Sequence, residues 1–171
     1  REVGSRAVVQ VAGLSQRWMS VGLLRRSARA AISVVRLAGA ATVEATRALV
    51  RVATTLGGIT IEVDTVRAPI TAANFLKYVD GGFYTNGRFH RATRPDNYTV
   101  ALPHRPMMEI IQGGINPDRK AGGLAPIPLE RTSVTGIEHV TGVVSMARGA
   151  ADSATSAFFI LLTDQPSLAS G

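Results

Sequence analysis

The sequence predicts a mainly β domain, an antiparallel barrel or sandwich with one helix packed on an open end. Three observations carry this. Ile59, Ile61 and Val63 alternate with Thr60, Glu62 and Asp64, the period of a strand with one buried face. Ala72, Phe75, Leu76 and Val79 then recur at i, i+3, i+4 and i+7, the period of a helix that lays one face on a core. From Phe83 onward the apolar runs are short and separated by glycine- and proline-containing segments.

Taken in order, Leu49 to Thr54 reads as a strand, Leu56-Gly57-Gly58 as a turn and Ile59 to Asp64 as the partner strand. Pro69 suits the first helical turn because its missing N–H would be unpaired there anyway, and Asp80-Gly81-Gly82 stops the helix. Arg88 to Ala92 and Met108 to Gln112 are the next strands, with a loop from Thr93 to Pro106 between them and a stop at Gly113-Gly114. Asn116 to Thr141 contains Pro117, Pro126 and Pro128 and reads as an irregular connection. Val143 to Ala147 and Ala157 to Leu162 are the last strands, and no internal repeat is present.

A length of 171 residues fits one domain plus an extension, and 46% hydrophobic against 18% charged residues is enough to bury a core. With no cysteine, disulfides, thiolate catalysis and the common structural zinc sites are excluded. The net charge of +7 is confined to residues 1–51, where nine arginines face only Glu2 and Glu44. The remainder is neutral, so the folded part has no basic face for nucleic acid. Residues 1–48 therefore read as a basic leader: a targeting segment, or a disordered or non-native extension. A helix from Met19 to Arg47 would gather Arg25, Arg29, Arg36 and Arg47 on one side, and Met19 is a candidate start. Residues 49–171 form the domain. No run of 18 apolar residues suggests a membrane span, and the compartment is read as either periplasmic, after export, or cytoplasmic.

The chemistry-bearing residues are few. His90, His104 and His139 share no metal-ligand spacing. The serines sit in neither a G-x-S-x-G elbow nor an S-x-x-K pair, and no phosphate-cradling glycine loop occurs. What remains is Arg91 in Phe89-His90-Arg91, between the Gly81-Gly82-Phe83-Tyr84 turn and Gln112-Gly113-Gly114. Phe158 and Phe159 are adjacent, so in a strand they face opposite ways: one can enter a core while the other lines a pocket, unless both are buried in a sandwich. Such a set can bind a peptide and donate hydrogen bonds, but has little means of breaking a covalent bond.

In their order, the blocks Ala68-Pro69-Ile70-Thr71-Ala72-Ala73-Asn74-Phe75, Gly82-Phe83-Tyr84, Phe89-His90-Arg91, Ile111-Gln112-Gly113-Gly114, Ser145-Met146-Ala147-Arg148 and Ser153 to Ile160 resemble the cyclophilins, the bacterial forms above all. These are peptidyl-prolyl cis-trans isomerases. The resemblance spans about Val52 to Gly171 and implies an antiparallel β-barrel with helices capping its ends. It implies that Arg91 is the catalytic arginine, that Gln112 bonds substrate backbone, and that Phe159, Ile110 and Leu168 floor a proline pocket. Phe89 is placed with these substrate-binding residues, and Ala147 and Arg148 would contact substrate backbone. It implies turnover of X-Pro bonds in unfolded or extended polypeptides, with proline-containing chains as partners, no cofactor, no metal and a monomeric state.

The chain departs from the cyclophilin pattern in several places. Glu109 falls where a pocket phenylalanine is usual, Arg148 where asparagine is common, and Ala157 where glutamine is common beside the aromatic pair. In family terms, the closing strands and second helix would lie beyond Gly171. Two alternatives to an isomerase follow: a proline-peptide binding module without turnover, or an unstable fragment.

Overall fold

The computed structural model describes residues 8–11, 31–36, 47–94, 108–116, 118–119 and 122–168. Within them run eight strands: β1 (Val8–Val11), β2 (Ala31–Arg36), β3 (Arg47–Thr54), β4 (Gly57–Asp64), β5 (Gly87–Thr93), β6 (Ile110–Gly114), β7 (Val144–Met146) and β8 (Phe158–Leu161). Helix α1 (Pro69–Asp80) joins β4 to β5, and the single-turn helix α2 (Thr132–Thr135) interrupts the β6–β7 connection, which the prolines had suggested would be wholly irregular. The strands neighbour one another in the order β1-β4-β3-β2-β5-β6-β8-β7, a barrel-like ring that comes round through the single residue pair Val11↔Val144. All pairings are antiparallel except those of β1, which runs parallel to β4 and β7.

Two segments of the region read as a leader take places in this ring. β2 sits between β3 and β5, and β1 between β4 and β7. Ala31–Arg36 is a strand rather than part of a helix. Ile32, Val34 and Val35 are β-branched, which favours extended backbone, and the flanking strands offer unpaired backbone donors and acceptors to a segment that adds there. Arg47 and Ala48 open β3, and the other residues of that region lie outside the described residues.

The β3–β4 hairpin runs in register from Arg47↔Asp64 to Thr54↔Gly57. At its tip the Thr54 hydroxyl donates to the Gly57 carbonyl at 2.8 Å, and Gly57 takes φ +128°, a backbone conformation open to glycine. Ala48, Val50 and Val52 face inward with Ile59, Ile61 and Val63, while Arg47, Leu49 and Arg51 face out. The strand period expected for this hairpin is thus the one observed.

Helix α1 lays Ala72, Phe75, Tyr78 and Val79 on the barrel core. Its C-terminus is a Schellman motif with Gly82 at φ +64°: Gly82 N–H donates to the Val79 carbonyl and Phe83 N–H to the Tyr78 carbonyl, both at 3.0 Å. The Phe83 ring packs edge-on to Tyr78 at 5.1 Å, the apolar contact that usually accompanies this cap. At the N-terminus no local side chain caps the helix. Glu130, sixty residues later, accepts the Ile70 and Thr71 N–H groups with its two carboxylate oxygens at 3.0 and 2.7 Å.

The core has two parts. Inside the barrel, Phe158 meets Phe75, Tyr84 and Phe89 edge-on at 5.7, 5.6 and 6.1 Å, an arrangement favoured by the ring quadrupoles. Outside it, on the other face of β6 and β8, a second cluster joins Ala68, Ile110, Ile137, Val143 and Leu161, with Met108, Phe159 and Leu168 packed against it. The adjacent phenylalanines of β8 therefore divide between the two.

Two outcomes follow from this packing. A chain of residues 47–171 should melt below the full chain and lose slow amide exchange in β3, which would then have no neighbour in the place of β2; deuterium exchange read by mass spectrometry checks this. Glu130→Ala should cost about 1 kcal/mol in chemical denaturation, since two first-turn N–H groups lose their acceptor.

Candidate functional site

Strands β5, β6, β8 and β7 lie side by side, and their registers place one residue from each in a row: Arg91↔Gln112, Gln112↔Phe159 and Ser145↔Phe159. Directly opposed residues share a face of a sheet, here the outer one. The neighbouring row on that face is Thr93↔Ile110↔Leu161.

Arg91 reaches this face because of a bulge. In a regular strand, residues two apart point the same way, so Phe89 and Arg91 would both face inward. Phe89 pairs with Gly113 and Arg91 with Gln112, which leaves His90 as an extra residue in β5. A bulge of this kind re-aims the side chain that follows it. Phe89 accordingly stays inside the barrel, 2% exposed, while Arg91 is outside and exposed. Gly113 is required opposite, since a Cβ there would stand 2.9 Å from the Phe89 ring.

The Arg91 guanidinium donates from Nη1 to the Gln112 Oε1 at 3.3 Å, which fixes its direction along the row. Beside them opens a cavity of about 420 Å³ floored by Met108, Ile110, Phe159 and Leu168 and bordered by Arg91, Gln112, Ala147 and Arg148. Two interior anchors hold the segment leading into β8: Asn74 Nδ2 donates to the Thr155 carbonyl at 2.6 Å and the Tyr84 hydroxyl to the Ser156 carbonyl at 2.8 Å. Burial, with Tyr78 nearby, pushes the Tyr84 hydroxyl far above its ordinary range, so it stays a proton donor.

His139 closes the far side of the cavity. Its Nε2 lies 3.3 Å from the Ser145 hydroxyl and its Nδ1 3.5 Å from that of Thr132. Burial, and then the positive charge of Arg148, hold the imidazole below its ordinary range, so it is neutral at neutral pH.

Of the residues singled out in the sequence, the structure brings Arg91, Ile110, Gln112, Ala147, Arg148, Phe159 and Leu168 around one cavity. Phe89 does not belong with them: the bulge turns it into the barrel core, where it packs on Phe158. Glu109 does not line the cavity either. Its neighbours Met108 and Ile110 do, and Leu162 N–H donates to the Glu109 carbonyl at 2.8 Å. Sequence reasoning missed Met108, although counting back in twos from Gln112 would have found it. His139, Ser145 and Arg131 line the cavity too, and for His139 and Arg131, both in the β6–β7 connection, no local pattern signals it. Among the described residues no group of three or more His, Asp or Glu is placed to hold a metal, and no helix is long and apolar enough to cross a membrane.

The fold and site define a small β-barrel whose slot opens on the outer face of the sheet, with an apolar floor, one directed guanidinium and one carboxamide. Residues 49–171 match the family model for the cyclophilin type peptidyl-prolyl cis-trans isomerases, and the chain belongs to that family. Peptidyl-prolyl cis-trans isomerase A of Dickeya dadantii (strain 3937) is 34% identical over 119 residues, 69% of this chain and 56% of that protein. A peptidyl-prolyl cis-trans isomerase of Acinetobacter baylyi (strain ATCC 33305 / BD413 / ADP1) is 35% identical over 117 residues, 68% of this chain and 55% of its own length. Peptidyl-prolyl cis-trans isomerase B of Escherichia coli (strain K12) is 33% identical over 109 residues, 63% and 58% respectively. The chain thus spans a little over half the length of these curated relatives.

The neutral His139 has a consequence for acid stability. Its pKa in the folded chain lies below the ordinary histidine value, so the unfolded chain takes up the proton first as pH falls. Its contribution to stability is complete above about pH 6.5 and declines below it. Urea midpoints at pH 7 and pH 5 should differ less for His139→Asn than for the parent chain.

Proposed function

We propose that this chain catalyses rotation about X-Pro peptide bonds in extended or unfolded polypeptide segments. The observation that carries this reading is the placement of Arg91: outside the barrel, directed by Gln112 and bordering a slot floored by Phe159, Ile110, Met108 and Leu168.

Rotation about a peptide bond faces a barrier of about 18–20 kcal/mol because the nitrogen lone pair is delocalised into the carbonyl. When the bond twists, that delocalisation is lost and the proline nitrogen becomes able to accept a hydrogen bond. A guanidinium is always charged and offers several donors in a fixed fork, so Arg91 can serve the twisted state with a bond the planar state cannot use. Stabilising the transition state more than the ground state is what lowers the barrier.

The other residues support that bond. The apolar floor holds the pyrrolidine ring and displaces water, which strengthens the arginine's electrostatic contact. Gln112 fixes the guanidinium and offers its carboxamide N–H₂ to a substrate carbonyl, while the backbone near Ala147 and Arg148 flanks the segment entering the slot. No bond is broken, so the site needs neither nucleophile nor general base. The substrates are proline-containing polypeptides, and acceleration of their slow isomerisation assists folding.

A binding module without turnover is the rival reading, and Glu109 in place of a pocket phenylalanine would favour it. Glu109 does not line the cavity, which removes this support.

Arg91→Ala should lower kcat/KM for a prolyl peptide about 10²-fold or more, the scale set by removing one preorganised transition-state donor. A protease-coupled isomerisation assay measures it, with circular dichroism confirming an intact fold. An unchanged rate in a folded variant would sink the mechanism, and peptide binding with no accelerated exchange in NMR spectra would select the binding module.

A further inference from the structure

The carboxylates and guanidiniums around the cavity are used unequally. Arg91, Arg131 and Arg148 all line it and all are exposed. The side chains of Arg131 and Arg148 make no hydrogen bond or ion pair with any other described residue, unlike Arg47, Arg67 and Arg88, which hold carboxylates at 2.6 to 3.0 Å. The backbone at Arg131, and that just before Arg148, is nonetheless held. The Arg131 carbonyl accepts the Val134 and Thr135 N–H groups at 2.9 and 3.0 Å. Ala147, just before Arg148, donates its N–H to the Ala157 carbonyl at 2.8 Å.

The two carboxylates on the same cavity are already engaged. Glu130 turns both oxygens to the first N–H groups of α1, where the positive end of the helix dipole offsets its charge. Asp152 accepts the Leu129 N–H at 2.7 Å through Oδ1. His139 carries no compensating negative charge, and the positive charge of Arg148 is felt at its ring. An occupant of the slot therefore meets two guanidiniums that have no partner among the described residues.

We propose that the slot selects proline segments carrying an aspartate or glutamate within two residues of the proline, with Arg131 and Arg148 as the residues that recognise it. This rests on the isomerase reading for the position of the proline, and adds the substrate class. A carboxylate beside the proline gains contacts to Arg131 or Arg148, whereas a lysine there brings like charges together. Both guanidiniums are solvated, so each contact contributes a few-fold and is screened by salt.

The test uses the full chain and prolyl peptides that differ only in whether one flanking residue is Glu, Gln or Lys. At about 20 mM salt, kcat/KM for the best Glu peptide should exceed that for the matching Lys peptide by about five-fold, with Gln between them. By about 0.5 M salt the ratio should approach one. Arg131→Glu and Arg148→Glu should each reduce the Glu-to-Lys ratio, and together invert it. The ratio is taken within one protein, so a general loss of activity cancels.

Equal rates for the three peptides at low salt would overturn the proposal while leaving the isomerase intact. A Glu preference that survives both substitutions would overturn the assignment to these arginines. If no peptide is isomerised, the isomerase reading fails, and the affinities of the same peptides from NMR titration still decide the charge preference: tighter Glu binding upholds it and equal binding overturns it.

Discussion

Between Phe89 and Arg91 the ladder joining β5 to β6 has one residue more on one side than on the other, and the site depends on that mismatch. Because side chains alternate, a strand without the extra residue cannot put a phenylalanine into the barrel and an arginine two positions later onto its outside. With His90 bulged out, the same strand completes the aromatic core through Phe89 and supplies the guanidinium through Arg91. Gly113 makes room for the ring, and Gln112 beside it orients the arginine, so two consecutive residues of β6 serve the two faces separately.

The connection between β6 and β7 links helix, floor and rim. Glu130 holds the start of α1, Arg131 next to it stands on the cavity, and His139 further along meets Ser145 of β7. An irregular segment gains its order from these contacts to regular elements. Its carboxylate occupies a place at the helix start where no local residue serves as a cap. The same bonds that stabilise α1 therefore occupy both oxygens of a carboxylate that borders the slot.

The β3–β4 hairpin and α1 were legible in the sequence because their hydrophobic periods are unbroken and their ends carry Gly57, Pro69, Gly81 and Gly82. That Phe158 and Phe159 face opposite ways was legible from strand alternation. Which of them lines the pocket came from the resemblance, and the structure removes the alternative that both are buried in one core. Phe89 was misplaced because a bulge leaves the local pattern of residues unchanged while reversing the face that follows it. Glu109 was misplaced because a count along a resemblance ignored the alternation that puts Met108, Ile110 and Gln112 on one side. Arg131 and His139 were not legible at all, since only tertiary packing brings their connection to the cavity. Residues 31–36 looked like part of a basic helix because the arginines dominate their surroundings, whereas the β-branched run and the waiting strand edges decide their backbone.

The seam of the ring joins Val11 to Val144, almost opposite ends of the chain. The earlier of the two strands thus meets this neighbour only after all the residues between them have left the ribosome. Closing so long a loop yields no reward until both ends meet, and folds dominated by distant pairings reach their native state slowly. A protein proposed to hasten the folding of others is itself wired for late completion.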